Sequence, residues 1–190
     1  MLADPSTSDA GNLEERVAFL ERLKALQDEL VRIIRESTTD PACTSEQCLQ
    51  AILVALARSL RIPLASVYLL DDLSRELVLF VSAGEDAATG LIRNHRIPLG
   101  SGLTGTCAAT GETLVANDTA ADARYRPGPL PDIRSKLCVP IRARRRIAAV
   151  IDLQDRVAGR FGREIVRIVE DVSINAGFSQ ADATERTRRS

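Results

Sequence analysis

Four cysteines, at positions 43, 48, 107 and 138, and one histidine, His95, are the most chemically versatile side chains of this 190-residue chain. No two of the cysteines form a Cys-x-x-Cys pair, and a lone imidazole cannot complete a zinc site, so no metal ligand set is assigned. One histidine also argues against metal-hydrolase chemistry and a Ser-His-Asp relay, while a cysteine-based enzyme stays open. Thiol catalysis needs an accessible, low-pKa cysteine with a resolving partner. A second group of residues points to binding instead. Between positions 100 and 111, four glycines punctuate a segment that carries Ser101, Leu103, Thr104 and Cys107. The first glycines permit a tight turn, and residues 103 to 110 read as a short helix with Gly111 as its left-handed stop. The free N–H groups and dipole at such a helix start favour anionic or acceptor groups.

The elements that must position these residues follow from periodicity. Asn12 reads as a helix cap answered by Glu15. Leu13, Val17, Leu20, Leu23, Leu26, Leu30, Ile33 and Ile34 then recur mostly every three or four residues, in one stripe. A narrow apolar seam this long is more than a small domain needs as cover. It reads as a parallel dimer helix; the alternative is a helix folded back on its own domain. A second helix starts at Thr44 or Ser45, exposes Leu49, Ile52, Leu53, Leu56 and Leu60 on one face, and ends at 61–63. The period then falls to two. Segments 65–70 and 76–81 form a hairpin, 96–99 and 113–116 are short strands, and 136–142 with 146–153 form a final hairpin. The loop from Asn117 to Pro131, stiffened by Pro127, Pro129 and Pro131, is long enough to imply function. Phe161 opens a last helix with Ile165, Ile168, Val169 and Val172 on its apolar face. Strands and helices do not alternate strictly, which disfavours a doubly wound parallel sheet and favours an α+β fold.

Composition removes several functions. Twenty-five basic against 26 acidic residues give a net charge of −1, so no global field favours nucleic acid or membrane surfaces. Aromatic residues are 3%, too few for a base-stacking platform. No apolar run approaches the roughly 20 residues that span a bilayer. No export signal is visible, so the cysteines read as cytoplasmic and reduced.

Five elements, in order, resemble the GAF domain, the small-molecule sensor module of signalling proteins. They are Pro98-Leu-Gly-Ser-Gly-Leu-Thr-Gly105, Ala108-Ala-Thr-Gly-Glu112, Leu114-Val-Ala-Asn-Asp118, Arg124-Tyr125, and Ser135-Lys-Leu-Cys-Val-Pro-Ile141. Phe161 stands where the family often opens its last helix. The resemblance implies a profilin- or PAS-like central antiparallel sheet of about six strands, with helices on one face. On the other face, the short helix and long loop would close over a ligand pocket. It also implies homodimers through the terminal helices and control of an attached output domain or partner signalling protein.

The candidate ligand-binding residues are Phe80, Ser101, Leu103, Thr104, Cys107, Asp118, Tyr125 and Ser135. Ser101 either donates to a ligand or caps the short helix. Leu103 and Cys107, four apart, line the pocket floor or the core. Asp118 binds ligand or fixes the turn with Asn117, and Tyr125 stacks on a planar ligand or anchors the loop. Phe80 and Tyr68 share the first hairpin, and periodicity does not say which faces the pocket. The tip at Arg142, Arg144, Arg145 and Arg146 reads as a solvated turn or a contact for an acidic partner.

Ligand identity is not assigned. Cyclic-nucleotide-binding members carry Asn-Lys, Phe, then Asp-Glu; here only Phe161 is kept beside Gln154-Asp155 and Ile165-Val166. The loop lacks the histidine of haem-binding members, and no Cys-His dipeptide matches the bilin-binding ones. Free methionine-sulfoxide reductases of the family carry Gly-x-Gly-x-Cys-Gly, where this chain has Thr104. The expected organisation is a disordered segment 1–12, a signalling helix 13–37, the sensory domain 44–181 and a polar tail 182–190. The expected function is non-enzymatic ligand sensing. The alternatives are a ligand-free dimerisation scaffold, or a cysteine redox sensor or reductase using Cys107 or Cys138.

Overall fold

The structure is a computed structural model that describes residues 6–90, 92–143 and 146–175, with side chains from residue 13 onward. Helix α1 spans Ser6–Thr39 and α2 Ser45–Leu60. Strands β1 (Leu64–Asp71) and β2 (Glu76–Ala83) follow, then β3 (Arg96–Pro98), helix α3 (Gly102–Thr110), β4 (Leu114–Ala116), β5 (Ser135–Ala143), β6 (Arg146–Asp155) and α4 (Arg163–Asn175). The six strands make one antiparallel sheet in the order β3-β2-β1-β6-β5-β4. The chain is therefore α+β, as the change of period predicts.

Local chemistry sets the element ends. The Thr44 hydroxyl accepts from the Gln47 N–H while the Gln47 side chain accepts from the Thr44 N–H, a capping box that satisfies otherwise orphaned donors. The helix stops where Arg61 turns left-handed at φ 52° ahead of Pro63. Helix α3 ends at Gly111, φ 71°, a conformation that glycine adopts without a Cβ clash.

Alternating side chains divide the sheet into two faces. Val67, Val139, Ile141, Ile151 and Leu153 face α2 and α4 and form the main core with Ile52, Leu53, Leu56, Ile168 and Val169. On the opposite face, Tyr68, Leu77, Cys138 and Val150 pack against Leu103, Cys107 and Ala108 of α3. Strands β1 and β6, at the centre of the sheet, thus carry both cores.

Two expectations about α1 are corrected. The helix begins at Ser6, so Asn12 lies inside it and is no cap, and the segment predicted to be disordered is helical from residue 6. Gly11 and Asn12 each cost a helix about 1 kcal/mol or less, which a long helix absorbs. Its apolar seam is also divided. Leu23, Leu26 and Leu30 are buried in the main core, whereas Leu13, Val17, Leu20 and Val31 are 66%, 46%, 44% and 56% exposed. The folded-back reading holds where Leu23, Leu26 and Leu30 are buried, while Leu13, Val17 and Leu20 stay open. Residues 1–5, Arg144, Arg145 and the tail 182–190 lie outside the described residues.

Candidate functional site

The face opposite α2 and α4 holds a cavity of about 150 Å³ between α3 and the long loop. Tyr68, His95, Ser101, Leu103, Thr104, Tyr125, Arg126 and Lys136 are among the residues lining it. Rigid Pro98, Pro127 and Pro129 complete its wall.

Under the cavity lies a buried ion pair. Lys136 Nζ stands 2.8 Å from Asp152 Oδ2, with side chains 11% and 0% exposed. The Thr104 hydroxyl donates to the same carboxylate at 2.8 Å, and the Cys138 thiol donates to Thr104 Oγ1 at 3.7 Å. In the β5–β6 register Cys138 faces Asp152 and Lys136 faces Gln154, so Lys136 reaches Asp152 diagonally on one face of the sheet. Burial, the largest single influence, opposes the Lys136 charge, but the Asp152 carboxylate, with Cys138 and Tyr125 beside it, together raise the ammonium pKa.

At the cavity rim the Tyr68 hydroxyl and His95 Nδ1 lie 3.0 Å apart, with their rings edge to face at 5.9 Å. Burial, and then the Lys136 charge, push the His95 pKa below 6.5, so the imidazole is neutral at pH 7. Burial and the Asp152 carboxylate push the Tyr68 phenol upward. We assign the shared proton to Tyr68, which donates to Nδ1. A histidine with a depressed folded pKa stabilises the fold above the unfolded value and loses that stabilisation as pH falls. Urea titrations from pH 7.5 to 5.0 should therefore show a steeper loss of stability in the wild type than in His95→Gln. Equal slopes would remove His95 from the acid response.

The eight sequence candidates separate. Ser101, Leu103, Thr104 and Tyr125 line the cavity together. Ser101 occupies the N-cap position of α3 but makes no side-chain cap bond, so the capping role is not the one seen. Cys107 lies beneath, fully buried, and resolves to core. Burial and the Asp152 charge push its thiol up to about 12, and burial also raises Cys138, the reverse of what a reactive thiolate needs.

Three candidates fall away from the cavity. Asp118 pairs with Arg134 at 3.2 Å on the surface and accepts from the Ala120 N–H, the turn-fixing role. Ser135 is buried and donates to the Val157 carbonyl at 2.7 Å. It shares the phase of Leu137 and Val139, on the helix side of the sheet. Phe80 also packs against that main core. The sequence reading missed Lys136, Asp152 and Arg126. A charge inside an apolar strand, as in Ile151-Asp152-Leu153, is the signal that marks such a pair.

A curled antiparallel sheet with helices on one face, and a polar-floored cavity under a short helix and loop on the other, defines a class of sensory and regulatory domains. The GAF domain family model matches residues 44–179, and the chain belongs to that family. Protein ZMO0507 of Zymomonas mobilis is 40% identical over 78 residues, 40% of this chain and 48% of that protein, so the match spans about half of the curated relative. The GAF domain of a phosphoenolpyruvate-protein phosphotransferase from Coxiella burnetii superposes with a TM-score of 0.71 at 20% identity, covering 87% of this chain and 98% of that one. The free methionine-R-sulfoxide reductase of Neisseria meningitidis, in complex with its substrate, also gives 0.71, at 21% identity over 88% and 92%. That protein is an enzyme. The expectation of a non-enzymatic domain is therefore corrected: the same fold houses catalysis, and a non-enzyme assignment is not supported.

Proposed function

We propose that the chain is a ligand-responsive regulatory domain of a cytoplasmic signalling protein. A small molecule occupies the cavity over Lys136 and Asp152, touching Ser101, Leu103, Thr104 and Tyr125. The cavity with its convergent polar groups carries this reading. A ligand that prefers one arrangement of the loop shifts the population of that arrangement. Strands β5 and β6 provide the route outward. Their Lys136 and Asp152 hold the cavity floor, while their Val139 and Ile151 pack on the helix side in the core shared with α1, α2 and α4.

The exposed apolar side chains Leu13, Val17 and Leu20 of α1 support a homodimer through the terminal helices, from which the signal passes to an output domain or partner. Native mass spectrometry of the purified protein tests both parts together. The expected result is a dimer carrying a removable small-molecule mass, converted to monomer by Val17→Asp with Leu20→Asp while circular dichroism stays native. A monomeric wild type would defeat the helix-pairing part. A clean dimer whose helix pairing responds to no compound in a metabolite screen would leave a ligand-free scaffold in place of the sensor.

A further inference from the structure

We infer that the cavity is selective for a compact oxyanion, a carboxylate or phosphate group on a small metabolite, held between Lys136 and Arg126. This rests on the reading that the cavity binds a ligand. The charged side chains lining it are Arg96, Arg126 and Lys136, and among the described residues no Asp or Glu lines it. Asp152 lies behind Lys136, fully buried and outside the lining, so a ligand meets the ammonium and not the carboxylate. An ammonium has three donors, and the ion pair engages one of them.

Arg126 supplies a second cation to the lining. Its NH1 donates to the Ala123 and Tyr125 carbonyls, which holds the guanidinium in place. Its Cβ lies 3.6 Å from where a side chain on Gly102 would begin, so it sits over the first turn of α3. That turn adds N–H groups without intrahelical partners, and Ser101 does not cap them. Arg96 is drawn off by Glu76 at 3.3 Å and takes a lesser part. The cavity volume of about 150 Å³ equals that of about five waters of ~30 Å³ each, which suits a carboxylic acid of a few carbons or a small phosphate.

Isothermal titration and thermal-shift measurements with acetate, succinate, inorganic phosphate and glycerol phosphate, at constant ionic strength set with chloride, test the inference. Glycerol and choline serve as neutral and cationic probes. The expected result is saturable binding of at least one of the four anions, weakened about tenfold or more by Arg126→Glu. The paired variant Lys136→Met with Asp152→Leu, which keeps the floor filled without charge, should weaken it similarly. Response to the carboxylates alone or the phosphates alone identifies the source of the oxyanion. No saturable binding of any of the four anions, or binding unchanged in both variants, overturns the inference. Binding of glycerol or choline in place of the anions also overturns it, yet leaves the cavity as the ligand site and so separates this failure from that of the sensor reading.

Discussion

Lys136→Met is expected to lower the unfolding free energy by about 3–5 kcal/mol at pH 7, because it leaves the Asp152 carboxylate buried without its cation. The cost is one of desolvation. Asp152 is fully buried, and after the change only the Thr104 hydroxyl faces Oδ2. Asp152 Oδ1 has no hydrogen-bond partner even in the wild type, so nothing nearby can take over the charge. Removing both partners, as Lys136→Met with Asp152→Leu, should recover most of the loss, since an apolar pair of similar volume is often as stable as a buried ion pair. Denaturant titration of the three proteins makes the comparison. A single-variant loss below about 1 kcal/mol would mean that water already reaches the pair and that the floor of the cavity is not closed.

Gly105→Ala is the second large effect, expected at about 3 kcal/mol, at the upper end for overpacking. Gly105 is helical, so the argument is one of space, not backbone freedom. A Cβ there would meet the Pro98 carbonyl oxygen at 2.4 Å and the Gly100 nitrogen at 3.1 Å. Both are backbone, and the Gly100 N–H donates to the Gly105 carbonyl at 2.8 Å, which ties the two segments together. Helix α3 would have to lift from the loop before it, taking Ser101, Leu103 and Thr104 with it. Thermal melting should show the loss, and binding of any cavity ligand should fall with it. Native stability and unchanged binding would show that α3 docks loosely.

The sequence allowed the fold to be read because its signals are local. The switch from a period near 3.6 to a period of two lies between Leu60 and Ala65. Thr44 with Gln47, and Gly111, mark helix ends through contacts of a few residues. The start of α1 was misplaced because Gly11 and Asn12 look like a boundary, although a long helix tolerates them. The site was only partly readable, since its floor depends on register. Lys136 and Asp152 are 16 residues apart and meet only because the β5–β6 hairpin pairs Cys138 with Asp152. The β1–β2 register skips Phe80 between Val67↔Val81 and Tyr68↔Leu79, so Phe80 and Val81 both reach the main core while Leu79 packs on the cavity side, a placement that alternation alone does not give. For Ser135 and Phe80, a one-residue change of phase separates a ligand contact from a core contact, and a period of two does not fix that phase.

The burial of Leu23, Leu26 and Leu30 joins α1 to the domain as one rigid lever. A module attached ahead of it would be geared to the domain by helical phase. Each residue inserted into the exposed stretch advances such a module by 1.5 Å and turns it by about 100°, whereas seven residues bring it back to within about 20° of its first bearing. The orientation of a module fused ahead of α1 would thereby be set by the number of residues in between, counted modulo a turn, and a frame of sevens is the spacing that would leave its facing unchanged.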